Sequence, residues 1–163
     1  LSWGDSLAIA CMKRKKWTNK NFVTMHPAGS LATALIQVKE IMAKEKEIPL
    51  INYNRTMKAA ILELSKKNLG IVCVKEKKGK ISLITDGDVR RESNNLYKKT
   101  ISEICNKNPN WISESATALS AIEKMNNLKI TSLLVAREQD IKKKNKNVIG
   151  ILHLHHCLSR GIK

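Results

Sequence analysis

The sequence predicts an α/β fold made of two copies of one strand–helix–strand–strand–helix unit, related by a pseudo-twofold. Three observations predict it. First, the segment TMKAAILELSKKNLGIVCV (56–74) lies over TALSAIEKMNNLKITSLLV (117–135) without a gap, the kind of internal repeat that has to be found before any element is assigned. Thr56, Ala60, Ile61, Leu64, Leu69 and Val74 meet Thr117, Ala121, Ile122, Met125, Ile130 and Val135. Second, the likeness continues on both sides. VKEIM (38–42) parallels ISEIC (101–105), and KISLITDGDVRR parallels VIGILHLHHCLSR after a longer loop in the second copy. Third, each copy changes its apolar period from helical to strand-like at the same place. Two such units can bury their apolar faces against each other.

The elements follow in order. GDSLAIACMKRKK, near the start, reads as a helix with Asp5 in its first turn and lysines in its last, the arrangement the helix dipole favours. HPAGSLATALI reads as a turn followed by another helix. A short helix then opens each repeat, over 38–43 and 101–106, and a brief extended segment follows near Ile51 or Ile112. Ala60, Ile61 and Leu64, and their counterparts Ala121, Ile122 and Met125, fall at helical spacing. Asn54 or Ser115, or the threonines that follow them, supply the cap. A β run comes next (69–75; 130–136), with a basic turn at Gly79 in the first copy. A second β run (81–85; 148–153) leads into a last helix starting near 86 or 154.

Composition bounds the function. An apolar fraction of 42% excludes a disordered chain, and no apolar run approaches the roughly 20 residues that span a bilayer. LSWGDSLAIACMKRKKW is apolar first and basic second, the reverse of a secretory leader, so a cytoplasmic, non-membrane protein is expected. The cysteines at 11, 73, 105 and 157 form no C-x-x-C pair and read as reduced, mostly buried thiols. The net charge of +16 invites a nucleic-acid reading. The excess, however, is lysine spread through loops, and aromatics are only 4%, which leaves few stacking platforms for bases. A solvated lysine surface is the expectation, with a residual pull on small anions such as nucleotides or sugar phosphates.

TDGDVRR (85–91) is the stretch with the most concentrated chemistry. A threonine at a strand's end and an aspartate three residues on flank a helix start, where free backbone N–H groups favour an anion. Thr85 can donate to a phosphate, and Asp88 can accept from ribose hydroxyls. The competing reading makes Asp86 or Asp88 only an N-cap or first-turn acid, and both readings stand. Arg90 and Arg91 can hold a phosphate or form an exposed first-turn pair. In the second copy His153 takes the place of Thr85 and His156 that of Asp88, which predicts at most one competent nucleotide cleft per chain. His153 and His155 share a face if the strand extends that far, but two imidazoles without a third or fourth ligand make no zinc site, so no metal is expected. Trp3, Trp17 and Trp111 have no periodic relation and read as packing or interface residues.

With those residues in place, the chain resembles a known architecture. The tandem unit with a G-h-x-T-x-x-D-like motif after its third strand looks like a pair of cystathionine-β-synthase (CBS) domains. GDSLAIAC, HPAGSL, IPLINYNRTMKAAILELSKKNLG, LITDGDVRR, and ITSLLVA with GILHLHHCL run in the order found at the C-terminal end of the D-arabinose 5-phosphate isomerase family, the KpsF/GutQ type of sugar-phosphate isomerase. The resemblance implies three parts: the helical end of a sugar isomerase (SIS) domain over 1–36, a first CBS domain over 37–97 and a second over 98–163. It implies an aldose–ketose isomerase as the parent, interconverting ribulose 5-phosphate and arabinose 5-phosphate on the way to the Kdo sugar of lipopolysaccharide. Most of that SIS domain would lie before residue 1, so this chain alone is expected to be inactive, with its own role regulatory or oligomerising.

The same resemblance implies a catalytic part for His26, in the place of the family's His-Pro-Gly-Gly histidine. It assigns nucleotide-binding roles to Thr85 and Asp88. No required cofactor is implied, but an adenine or cytidine nucleotide or a nucleotide sugar in the cleft is, together with a homodimer or homotetramer. The chain departs from the family pattern near His26, with TNKNFVTM before it, Ala28 for a glycine and Ala32-Thr33-Ala34 after it. The alternative is a free-standing CBS-pair nucleotide sensor with no catalytic role.

Overall fold

The computed structural model describes residues 2–17, 35–77 and 79–162. His26 and the turn and most of the helix expected over HPAGSLATALI lie outside them, while its last two residues, Leu35 and Ile36, are described and are not helical. Helix α1 (Ser2–Arg14) carries Asp5 in its first turn and Lys13 and Arg14 in its last, and Trp3 and Leu7 stand exposed on it. Among the described residues no helix is long and apolar enough to cross a membrane.

From residue 37 onward the two repeats build two sheets. Helix α2 (Val38–Ile41) and strand β1 (Ala43–Lys44) lead in. The first repeat then runs through β2 (Leu50–Asn52), α3 (Met57–Lys67), β3 (Ile71–Lys75), β4 (Ile81–Thr85) and α4 (Asp86–Arg91). Helix α5 (Ile101–Ile104) opens the second repeat, followed by β5 (Trp111–Ser113), α6 (Ala118–Leu128), β6 (Ser132–Ala136), β7 (Gly150–His153) and α7 (Leu154–Leu158). One sheet has the order β2-β3-β4 and the other β1-β7-β6-β5. In both, the first strand of the repeat runs parallel to the second and the second antiparallel to the third.

The local signals explain these bounds. Thr56 and Thr117, rather than Asn54 and Ser115, cap the two long helices, accepting from the N–H of Ala59 and Ser120. Both helices end on a residue in the left-handed region, Asn68 (φ 51°) and Lys129 (φ 53°), which satisfies the C-terminal turn and throws the chain into the next strand. The β runs therefore begin at Ile71 and Ser132, two residues later than the apolar pattern predicts. Gly79, at φ +74°, allows the tight turn between β3 and β4.

Strands β3, β4, β6 and β7 are buried along both faces because both faces are covered. Cys73 and Leu83 of the first sheet pack with Leu134 and Ile151 of the second, forming the layer between the sheets. Val74 and Ile84 point the other way, onto Met57 and Ala60 of α3. Leu133, Val135 and Leu152 do the same against Ala121, Ile122 and Met125 of α6. The result is helix, sheet, sheet, helix.

The sequence pattern gave no sign of how the lead segments are shared. Helix α2 precedes the first repeat in sequence but packs on the second sheet, with Val38 in the core beneath α6. Strand β1 pairs with β7, Ala43 opposite Ile151. The lead of the second repeat crosses the other way. Ile101 packs beneath α3, and Asn106 forms a bridge with Leu83 of β4. Leu83 is the counterpart of Ile151, so the exchange obeys the pseudo-twofold. Gly150 is the residue that permits it: a Cβ there would stand 2.3 Å from Met42 Sδ and 2.9 Å from the Ala43 carbonyl oxygen.

Candidate functional site

A cleft of about 440 Å3 lies between the two repeats. From the first repeat come Gly70, Ile71 and the β4–α4 turn; from the second come Lys129, Thr131, Ser132 and His153, and from its lead segment Asn106 and Asn110. The lead-segment exchange places those two asparagines there, since the Asn106–Leu83 bridge holds 106–110 against β4.

Thr85 and Asp88 both line this cleft. Thr85 is the N-cap of α4 and Asp88 the third helical residue, and they form a reciprocal capping box. The Asp88 N–H donates to Thr85 Oγ1 at 3.2 Å, while the N–H and hydroxyl of Thr85 donate to Asp88 Oδ2 at 2.8 and 2.7 Å. Arg91 donates to the other oxygen, Asp88 Oδ1. The capping reading of the aspartate is therefore realised. It leaves Asp88 Oδ1 with room for one further donor, because a carboxylate offers about four acceptor positions. Gly70, at φ +65°, brings its backbone against the Asp86 carboxylate, and the Asp86 N–H donates to the Gly70 carbonyl. Arg90, Arg91 and Lys129 set three cations in the lining against Asp86 and Asp88. Of the three, Arg91 is paired with Asp88, and an anion can sit here among these charged donors.

The pseudo-symmetric joint, β7–α7, is built from different chemistry. His153 is the N-cap and His156 the third helical residue, and again each side chain reaches the other's backbone. The His155 N–H donates to His153 Nδ1 at 3.2 Å, and the His153 N–H donates to His156 Nδ1 at 3.4 Å. Both Nδ1 atoms act as acceptors, so both rings are neutral and carry their proton on Nε2. Burial pushes the titration of His153 and His156 below the usual histidine range. The neighbouring histidines push the same way, and the carboxylates of Asp86 and Glu47 oppose it at His153 and His156 respectively.

The strand does not extend to His155, as one expectation required. It ends at His153, and His155 lies in α7 with its ring stacked on His153 at 5.1 Å. Among the described residues no cluster of three or more histidines, cysteines or acids is placed to hold a metal. The four cysteines are free, but only Cys73 and Cys157 are buried; Cys105 is half-buried and Cys11 is exposed.

Sequence reasoning found Thr85, Asp88 and the arginines, and it paired His153 with Thr85 and His156 with Asp88. It missed Lys129, Thr131, Ser132 and the two asparagines. Lys129 had a signal that could have been used: it falls at the position of Asn68, past the last apolar residue of a repeated helix, where a cap belongs.

Comparison with known proteins agrees with this fold. The CBS-domain family model matches residues 101–162. An arabinose 5-phosphate isomerase of Francisella tularensis is 40% identical over 98% of this chain and 48% of its own length. One from Salmonella typhimurium is 32% identical over 99% of the chain and 49% of its length. The chain thus spans about half the length of the curated relatives it matches. Among solved structures, the CBS-domain pair of protein MJ0100, in complex with 5′-methylthioadenosine and S-adenosyl-L-methionine, superposes with a TM-score of 0.64 at 24% identity, over 77% of this chain and 94% of that one. A CBS-domain protein of Pyrobaculum aerophilum complexed with AMP gives 0.62 at 16%, over 74% and 89%.

Proposed function

We propose that this chain, which belongs to the CBS-domain family, is the ligand-sensing and assembling part of a sugar-phosphate isomerase acting on arabinose 5-phosphate. The similarity to isomerases along 98% of the chain supports the parent activity. In that reading residues 1–36 end the SIS domain, 37–97 and 98–163 are the two CBS domains, and His26 belongs to the active site of the complete protein. The full protein works in the cytoplasm as a homo-oligomer, within lipopolysaccharide sugar synthesis. The chemistry itself, a proton moved between the first two carbons of an open-chain sugar phosphate, needs an acid and a base held beside a phosphate cradle. Those groups belong to the SIS domain and not to the CBS pair.

The observation that carries the sensing role is the cleft shared by both repeats, with Thr85 and Asp88 in its wall and Arg90, Arg91 and Lys129 around it. A nucleotide fits this chemistry. Its phosphate meets the cations and the Thr85 hydroxyl, and a ribose hydroxyl donates to the spare position on Asp88 Oδ1. The adenine nucleosides and nucleotide in the CBS relatives named above make an adenine nucleotide the first candidate. A cytidine nucleotide or nucleotide sugar is the second.

A thermal-shift panel of AMP, ADP, ATP, CMP, a cytidine nucleotide sugar and arabinose 5-phosphate tests the reading. A ligand at a hundred times its Kd adds about 2.7 kcal/mol. Asp88→Asn keeps a side-chain acceptor for the cap while removing the charge, so the comparison is made within each variant, with and without ligand. Stabilisation of the wild type by a nucleotide, lost in Asp88→Asn, supports sensing. No shift with any member of the panel leaves only assembly as the role of the pair.

A further inference from the structure

A second cavity, of about 590 Å3, lies at the far end of β4 from the cleft. Along β4, Lys80 just before the strand lines this cavity and Leu83 lines the cleft, and a strand advances about 3.3 Å per residue, so on the order of 10 Å of strand separates the two linings. Four of the side chains around this cavity are lysines, and they arrive from three separate segments. Lys77 and Lys80 stand on the β3–β4 turn, Lys107 follows α5, and Lys144 comes over from the long β6–β7 loop of the second repeat. The acid in the lining, Glu76, is turned inward to accept a hydrogen bond from the buried Ser82 hydroxyl. Among the described residues no salt bridge is made by any of these four lysines. Lys77 instead lies over the Tyr53 ring, 5.5 Å from its centroid, and Val74 supplies an apolar wall beside the ring.

Convergent ammonium groups repel one another, and the arrangement is at its lowest energy when an anion of several charges lies among them. Lysine is a mobile point-charge donor suited to phosphate oxygens. The concave shape and its volume fit a small molecule rather than a polymer, which needs an open basic strip. We propose that this pocket is a second anion site, distinct from the inter-repeat cleft, that takes the oligophosphate portion of a small ligand. Lys77, Lys80, Lys107 and Lys144 contact the phosphates, and Tyr53 and Val74 flank any ring attached to them.

The test uses tripolyphosphate as the probe, titrated into this chain at low salt by calorimetry and followed by amide chemical shifts. In the wild type the shifts should centre on Tyr53, Val74 and Lys77. Three double variants remove the same charge from different places: Lys80→Ala with Lys107→Ala in the pocket, Arg90→Ala with Arg91→Ala in the cleft, and Lys15→Ala with Lys16→Ala just past α1. The pocket variant should weaken binding at least tenfold and the other two less than twofold. Equal weakening in all three means attraction to net charge only and overturns the site. Loss confined to the cleft variant, shifts centred on Thr85–Arg91, or no binding at all overturns it as well. The mapping on the wild type stands whether or not a variant folds.

Discussion

The histidine capping box at β7–α7 makes stability depend on pH in a calculable way. Each Nδ1 accepts a backbone N–H, and protonation of that nitrogen removes the acceptor. His153 and His156 are both pushed to lower folded-state values, first by burial, so the unfolded chain binds protons more readily than the folded one. Stability is then fully present above the ordinary histidine value near 6.5 and is lost as pH falls through it toward the folded values. A single proton taken up on unfolding gives a slope of at most about 1.4 kcal/mol per pH unit, and two give about 2.7. Both rings are half-buried, so solvent screening holds the realised loss between pH 7.5 and 5.5 below that ceiling.

Urea unfolding across that range measures it. The control is the double variant His153→Thr, His156→Asp, which copies the joint of the first repeat. Its aspartate, with an ordinary value near 3.9, does not titrate in the window, and a carboxylate in the first turn favours the helix dipole. The variant should therefore be the more stable protein at pH 5.5 and show a flatter pH profile. His155, also at this joint, is retained in both proteins, and so is His26. If wild type and variant lose stability in parallel, the two Nδ1 caps do not carry the effect and the tautomer assignment is wrong.

Three further outcomes follow from the packing. Gly150→Ala should destabilise by about 1–3 kcal/mol in chemical denaturation, the usual cost of overpacking, because the new Cβ meets Met42 and the Ala43 backbone. Leu134→Ala should cost about 2–5 kcal/mol, since Leu134 is fully buried between the sheets. Thiol labelling of the native chain at pH 8 should modify Cys11 fast. Cys73, whose thiol burial pushes up to about 12, and Cys157, pushed up to about 11, should react only on unfolding.

What the sequence revealed and what it hid divide along a physical line. The long helices were legible because a full amphipathic period and a capping threonine both point to the same start. The strands were legible as apolar runs, and their continuous burial comes from being covered on both faces. The matching of His153 to Thr85 followed from the repeat alone and is realised as two equivalent caps. The exchange of lead segments was not legible. Strand β1 has two residues and Asn106 makes a single bridge, too short to carry a period, and their partners are chosen by the tertiary packing of Val38 and Ile101. The place of Asn106 and Asn110 in the cleft depends on that exchange, so those two were hidden with it. The end of β7 at His153 and the helix start at Leu154 fall where the repeat placed them; what the pattern did not show is that an imidazole Nδ1 makes the cap.

The two caps also differ in what they leave for a ligand. Asp88 serves the Thr85 N–H and hydroxyl through Oδ2 and Arg91 through Oδ1, and a carboxylate has about four acceptor positions. It can hold the helix and still accept from a sugar hydroxyl. Neutral His156 has one acceptor lone pair, and the His153 N–H occupies it. Its remaining polar group, Nε2–H, only donates. The second joint therefore cannot clamp a ribose without giving up its cap, and a nucleotide that binds the first cleft should titrate by calorimetry to one molecule per chain. The His153→Thr, His156→Asp variant restores the missing acceptor and should bring the stoichiometry toward two. A wild-type stoichiometry of two would show that the carboxylate is not what selects the site, and the role given to Asp88 would fall with it.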